Sequence, residues 1–425
     1  MKKLSGEISL EFEHIMHKSM RKSLTVFLAA LGCLYASFGV VFGLMQAGLP
    51  PVLRSRGVDL AAIGWSFILL IPFGLTFLWS PAIDIIRPTR GAPRVTWIAA
   101  MQGIIAFTLF VLSFGESWRP GFLFLAGFVI AVAAATMDLA VDALAASSVP
   151  FEVRTVAGGL KVGALSLGSI VGGGMFVALS AQVGWQGTLQ AVALLSAIAP
   201  IPIILSRSWD QPEVVGVVER PQITSLFRSK LTRRRIAILT VVTTVLVALF
   251  SLNRIMLVDL GISVETIGWL VGTASPLCSL VASILSVPIV KRIGSGKGFI
   301  VCAAVCIIAA TLMMVGTLYG TRSIAIAGAI AVNAGTSGSY VILCATILGW
   351  AHGSQPATNY AVFYGASRLV ATAILIALTR VVSLFGWPSF YGAAIIAMIV
   401  VSMIVQLQPE FSLRSCDREN VRSGD

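Results

Sequence analysis

The chain has 425 residues, of which 57% are hydrophobic and only 11% charged, with a mean hydropathy of +0.93. Soluble domains carry about 25% charged residues, so a water-soluble globular fold is excluded. The formal net charge of +12 does not point to nucleic acid, because the basic residues lie in short loops between apolar runs and form no single soluble face.

The apolar runs are about 20 residues long, enough to cross a hydrocarbon core of roughly 30 Å. They predict helices over 24–49, 61–83, 95–114, 120–146, 156–180 and 188–206, then 236–257, 266–290, 298–319, 324–348, 356–379 and 389–407. The first run begins near Leu24 at full spanning length, so it is expected to remain as helix 1 and not to be cleaved as a signal peptide. Between the sixth and seventh runs lies the longest polar stretch, with Pro212, Pro221 and Arg233-Arg234-Arg235, and it reads as a linker. The expected organisation is a cytoplasmic N-terminal segment 1–23, a six-helix half 24–206, a linker 207–235, a second six-helix half 236–407 and a cytoplasmic tail 408–425. The predicted class is an all-α membrane protein of twelve transmembrane helices in two pseudo-symmetric halves.

Most of the 30 Lys and Arg residues fall on alternate loops, on the same side as the N-terminus. Cytoplasmic loops carry that excess, so both termini are expected in the cytoplasm. An internal repeat supports the two halves: Gly57-Val-Asp-Leu-Ala-Ala-Ile63-Gly64-Trp65 is echoed by Gly261-Ile-Ser-Val-Glu-Thr-Ile267-Gly268-Trp269, and at the same offset Pro72 meets Pro276. Lys161 and Arg368 stand in nearly the same relation in helices 5 and 11.

A charge at the bilayer centre costs at least ~2.5–3.5 kcal/mol unless it is paired or wet, so each intramembrane charge is a functional candidate. Helix 4 carries Asp138 and Asp142 at i and i+4, on one face and about 5.4 Å apart along the axis. Lys161 on helix 5 is expected near the depth of Asp142. Two readings stand: an Asp142–Lys161 ion pair that only joins two helices, or a site in which Lys161 neutralises Asp142 while Asp138 takes a proton or meets cargo. In the second half Arg368 sits mid-helix, and Arg254 either snorkels to the interface or faces a cavity. A cavity with acids in one half and guanidinium groups in the other would suit a polar, anionic small-molecule cargo. Asn333, Tyr340, Tyr35 and Gln46 are candidate neutral hydrogen-bonding groups.

No catalytic or metal-binding constellation emerges. His14 and His17 precede helix 1 and His352 is in a short loop, which leaves a membrane-embedded enzyme without its base or metal cluster. The six cysteines (Cys33, Cys278, Cys302, Cys306, Cys344 and Cys416) show no metal spacing and are expected to pack as small hydrophobes. No cofactor is expected. A transport-like sensor is expected to need an added signalling domain, for which the tail after Gln406 is expected to be too short.

After helix 2 the chain reads Trp79-Ser-Pro81-Ala-Ile-Asp84-Ile-Ile-Arg87-Pro-Thr-Arg90, and Pro150-Phe-Glu152-Val-Arg154 follows helix 4. These segments resemble the cytoplasmic latch signature of the major facilitator superfamily, without its usual leading Gly and paired Arg-Arg. The resemblance implies a latch role for Asp84, Arg87, Arg90, Glu152 and Arg154. Gly57-Val-Asp59, Ile63-Gly64, Leu78-Trp79-Ser80-Pro81, Asp138-x-x-x-Asp142-Ala and Ala357-Thr-Asn-Tyr-Ala361 together resemble the AmpG-type muropeptide permeases. In length the chain is more similar to the twelve-helix siderophore permeases of the RhtX/FptX type. The resemblance implies a monomeric, proton-coupled importer in the bacterial inner membrane, carrying a ferric siderophore or, alternatively, an anhydromuropeptide.

Overall fold

In the computed structural model the described residues are 2–45, 59, 65–86, 88, 91–115, 118, 120–210, 228–263, 266–351 and 355–408, and they are almost wholly helical. The helices are α1 (Lys2–Gly43), α2 (65–85), α3 (Pro93–Leu112), α4 (Pro120–Ser148), α5 (154–183), α6 (184–205), α7 (Lys230–Asp259), α8 (Ile267–Ile293), α9 (Ser295–Tyr319), α10 (Arg322–Ala351), α11 (356–385) and α12 (386–407). Each predicted run therefore falls on a helix, in chain order. Ten apolar stretches reach spanning length; the last, Pro356–Leu407, is two spans joined at Gly386, and α2 has a shorter apolar core, Phe67–Leu78.

Several boundaries differ from the sequence expectation for backbone reasons. Helix 1 begins far earlier than residue 24, and residues 46–49 and 61–64 lie outside the described residues. The remainder of helix 2 is not one α-helix but 3-10 turns (Trp65–Leu70 and Thr76–Leu78) alternating with short α segments (Ile71–Leu75 and Ser80–Ile85). Pro72 and Pro81 start those α segments, where the amide that proline lacks would have no intrahelical partner. Between α5 and α6 the chain turns at Gly184 (φ 75°) and between α11 and α12 at Gly386 (φ 78°), a left-handed backbone that costs glycine little. Within the expected linker 207–235, Arg207–Trp209 forms a 3-10 turn and α7 already runs from Lys230; residues 211–227 lie outside the described residues.

The halves are tied internally at the end where α1 starts. Trp209 donates its indole N–H to Ser23 Oγ (3.1 Å) and stacks on Phe27, while Arg234 bonds Gln408. In each half, then, the first helix is fastened to the residues after the sixth. Asp210 caps α3, accepting from the N–H of Arg94 (2.7 Å) and Val95 (3.0 Å), where the helix dipole favours an anion. Burial pushes the Asp210 carboxyl above the ordinary carboxylate range, against the pull of the Val95 N–H and the Arg94 charge.

Close helix approach depends on glycine, as it does where lipid supplies no hydrophobic drive between helices. On α1 Gly39 and Gly43 face Leu165 and Ser169 of α5; in return Gly168 and Gly172 lie against the carbonyls of Ala36 and Val40. A Cβ on Gly168 would overlap the Ala36 carbonyl oxygen. Gly168→Val is expected to cost about 3 kcal/mol through forced separation of α1 and α5. A thermal melt of the detergent-solubilised protein checks this, and an unchanged midpoint would show that the seam is not tight.

A second glycine face on α5 looks across to the other half. A Cβ on Gly158 would come within 2.8 Å of the Val341 carbonyl oxygen on α10, and one on Gly159 within 2.7 Å of the Val287 side chain on α8. The halves meet where α5 packs on α8 and α10, and where α2 and α4 pack on α11. That seam holds the intramembrane charges.

Candidate functional site

Asp138, Asp142 and Lys161 form one buried cluster. The i, i+4 spacing turns both carboxylates of α4 toward α5, and the Lys161 ammonium lies 2.5 Å from Asp142 Oδ2 and 3.0 Å from Asp138 Oδ1. Lys161 therefore bridges both carboxylates, where each reading of the sequence paired it with Asp142. Tyr35 on α1 donates to the other Asp142 oxygen at 2.8 Å. The ammonium also sits over the rings of Tyr35, Tyr360 and Tyr364, 5.1–5.6 Å from their centroids, an arrangement that stabilises a desolvated cation.

Arg368 of α11 completes the floor from the opposite half. Its guanidinium bonds the Tyr364 hydroxyl (3.0 Å) and lies 5.0 Å from the Phe42 ring and 5.2 Å from Phe73. Tyr360, Tyr364 and Arg368 are spaced by four residues on α11, with a π-helical stretch, Ala361–Gly365, within it; the two tyrosines meet Lys161 of α5, and Arg368 meets Phe42 of α1 and Phe73 of α2.

Beside this cluster, residues of both halves line an open cavity of about 1100 Å³. Asp138, Lys161, Arg254 and Arg368 all line it, together with Asn333 and Tyr340 of α10. Arg254 thus lines the cavity. Asn333 also donates to the Ala329 carbonyl of its own helix (2.7 Å). A smaller space of about 260 Å³, between α2, α4 and α11, adjoins Asp138, Asp142, Tyr360 and Arg368. Three cations and one carboxylate on the larger wall leave it electropositive, which suits an anion. Among the described residues no His, Cys, Asp or Glu group could hold a metal ion.

The expected latch residues divide. The Asp84 carboxylate reaches across to the start of α11, accepting from the N–H of Ala357 (3.3 Å) and Thr358 (2.9 Å) and from the Thr358 hydroxyl (2.7 Å). It thereby occupies the positive end of a helix in the other half. Glu152 is exposed and Arg154 lies over the Phe151 ring at 5.6 Å. Arg87 and Arg90, like Gln46, lie outside the described residues.

The architecture has close counterparts among solved structures. The human organic anion transporter MFSD10 (TETRAN) superposes with a TM-score of 0.68 at 15% identity, covering 90% of this chain and 99% of that one. The nucleoside transporter NupG gives 0.57, also at 15% identity, over 89% of this chain and 98% of its own. The fold is that of the major facilitator transporters. Within that fold, sequence relatives point in one direction. A Rickettsia conorii protein carrying the name transporter AmpG 4 is 23% identical over 383 residues, 83% of this chain and 89% of its own length. The anhydromuropeptide permease of Escherichia coli K12 is 26% identical over 189 residues, which is 43% of this chain and 37% of that permease. No protein-family model matches the chain.

Sequence reading missed two residues of this buried cluster. Tyr360 entered only as part of a motif, and Tyr364 not at all. The signal was present in the i, i+4, i+8 spacing of Tyr360, Tyr364 and Arg368, the same periodicity that exposed Asp138 and Asp142.

Proposed function

We propose that this chain is a proton-coupled secondary transporter that imports an anionic anhydromuropeptide across the bacterial inner membrane by alternating access, with both termini in the cytoplasm. The observation that carries this reading is the cavity at the seam, where Lys161 and Asp138 of one half face Arg254 and Arg368 of the other. A site shared by two halves is what rocking needs, since each half then holds part of the cargo and exchanges contacts as it moves. The relatives' names favour a cell-wall fragment over the ferric siderophore expected from chain length. Transport in place of chemistry also fits the transporter and permease names of those relatives.

In this reading Asp138 takes the coupling proton, and Arg254 and Arg368 meet the cargo's carboxylates, with Asn333 and Tyr340 hydrogen bonding its neutral parts. Asp84 holds the cytoplasmic ends of the halves together while the cavity receives cargo. Asp84→Asn removes the charge but keeps the shape, and charge-assisted bonds are worth about 1.5–3 kcal/mol. The expected result is at least a roughly tenfold shift of the population toward opening on the cytoplasmic side. Thiol labelling of a cysteine placed at Ala361 reads this shift, and equal labelling with and without the substitution would remove the latch role.

Uptake of labelled anhydromuropeptide by an Escherichia coli strain that lacks its own permease tests the cargo. Expression of this chain should restore uptake. Restored iron uptake with a single supplied siderophore, and none with anhydromuropeptide, would move the cargo to the siderophore class.

A further inference from the structure

We propose that Lys161 changes partners during transport: the anionic group of the cargo displaces Asp138 from the ammonium, and the released Asp138 takes one proton from the cavity. The proposal rests on the carrier reading above and assigns how cargo and proton are linked at that site.

The two carboxylates are not equivalent. Asp142 receives the Lys161 ammonium on one oxygen (2.5 Å) and the Tyr35 hydroxyl on the other (2.8 Å), is 1% exposed, and does not border the larger cavity. Asp138 is held by Lys161 at 3.0 Å, its one hydrogen bond among those described, and it borders both the larger and the smaller space. Lys161 also borders the larger cavity, so a carboxylate there can approach the ammonium from the side where Asp138 already stands. Asp142 is the permanent counter-ion and Asp138 the exchangeable one.

Charge then dictates the proton. One ammonium serves two carboxylates, and a third negative group on Lys161 would leave Asp138, which is 6% exposed, ionised and unpaired at a buried position, which is costly. Protonation of Asp138 cancels that charge. One negative charge arrives with the cargo and one proton arrives on an Asp138 oxygen, so the net charge of the cluster is unchanged. The ammonium keeps its proton throughout. The groups facing Asp138 are consistent with this assignment: Asp142 on its own helix, Lys161 on α5, Tyr35 on α1 and Cys344 on α10. From α11 come Tyr360, Tyr364 and Arg368. Lys161 and Arg368 are the cations among them, and of the two Lys161 is the one bonded to Asp138.

Two measurements on the full-length purified protein test the exchange. Calorimetric titration with an anhydromuropeptide, in two buffers of different ionisation enthalpy, should show uptake of about one proton per molecule bound. Its Kd should rise about tenfold per pH unit where free Asp138 is ionised. Asp138→Asn, checked for folding by size exclusion, should bind without proton uptake and with a flat pH profile. Tight wild-type binding with no proton uptake, or uptake that persists in Asp138→Asn, overturns the exchange. The second measurement needs no cargo: a water-soluble carbodiimide, with mass spectrometry to locate the adduct, should modify Asp138 and spare Asp142. Modification of Asp142 in preference to Asp138 overturns the assignment. If the anhydromuropeptide does not bind the wild-type protein, the cargo reading falls, and the labelling pattern still decides between the two carboxylates.

Discussion

Lys161→Met is expected to abolish transport and to destabilise the protein by about 3–5 kcal/mol, because it strips a buried cation from two carboxylates that cannot leave the seam. The side chain lies 2.5 Å from Asp142 and 3.0 Å from Asp138, so its loss removes the counter-ion of both and leaves Asp142 only the Tyr35 hydroxyl. Methionine fills a similar volume, which limits the effect to charge and hydrogen bonding. A thermal melt in detergent reads the stability. Adding Asp138→Asn and Asp142→Asn to Lys161→Met should recover most of the lost midpoint, because the uncompensated charges are then gone, yet transport should stay absent. That pattern separates a functional cluster from a merely structural one. A triple variant that regained transport would mean that the ions only hold helices together.

Arg368→Lys carries the second large expected effect. The guanidinium is fixed between the Phe42 and Phe73 rings and bonds the Tyr364 hydroxyl, so its planar fork points in a defined direction. Lysine keeps the charge but loses the bidentate geometry and the stacking. The expected loss is about 1.5–3 kcal/mol of cargo affinity, read as a rise of roughly 10- to 150-fold in the KM for uptake, with folding retained. A KM within about twofold of the wild-type value would take Arg368 out of the cargo site.

The two candidate carboxylates and the helix count were legible because each depends on local periodicity. Asp138 and Asp142 share a face by the geometry of one helix, and apolar run length alone marks the spans. Lys161 was placed near them by counting turns along two adjacent helices. What sequence did not reveal is non-local. Which residues of α11 would meet Lys161 depends on how the halves dock, and the partner of Asp84 is a helix start more than 270 positions away. The turns at Gly184 and Gly386 fall inside the breaks between predicted runs, 181–187 and 380–388, and only the positive φ at each glycine lay beyond the sequence pattern. Arg254 was left between lipid interface and cavity because its helix position fits either, and only the seam placed it.

On the proposed reading, a proton gradient drives an anionic cargo through this site. Reconstituted vesicles loaded at neutral pH and diluted into acidic medium should accumulate labelled anhydromuropeptide above its external concentration. An uncoupler should collapse that accumulation, and Asp138→Asn vesicles should exchange cargo without concentrating it. Accumulation in wild-type vesicles that is the same with and without the gradient would contradict the account.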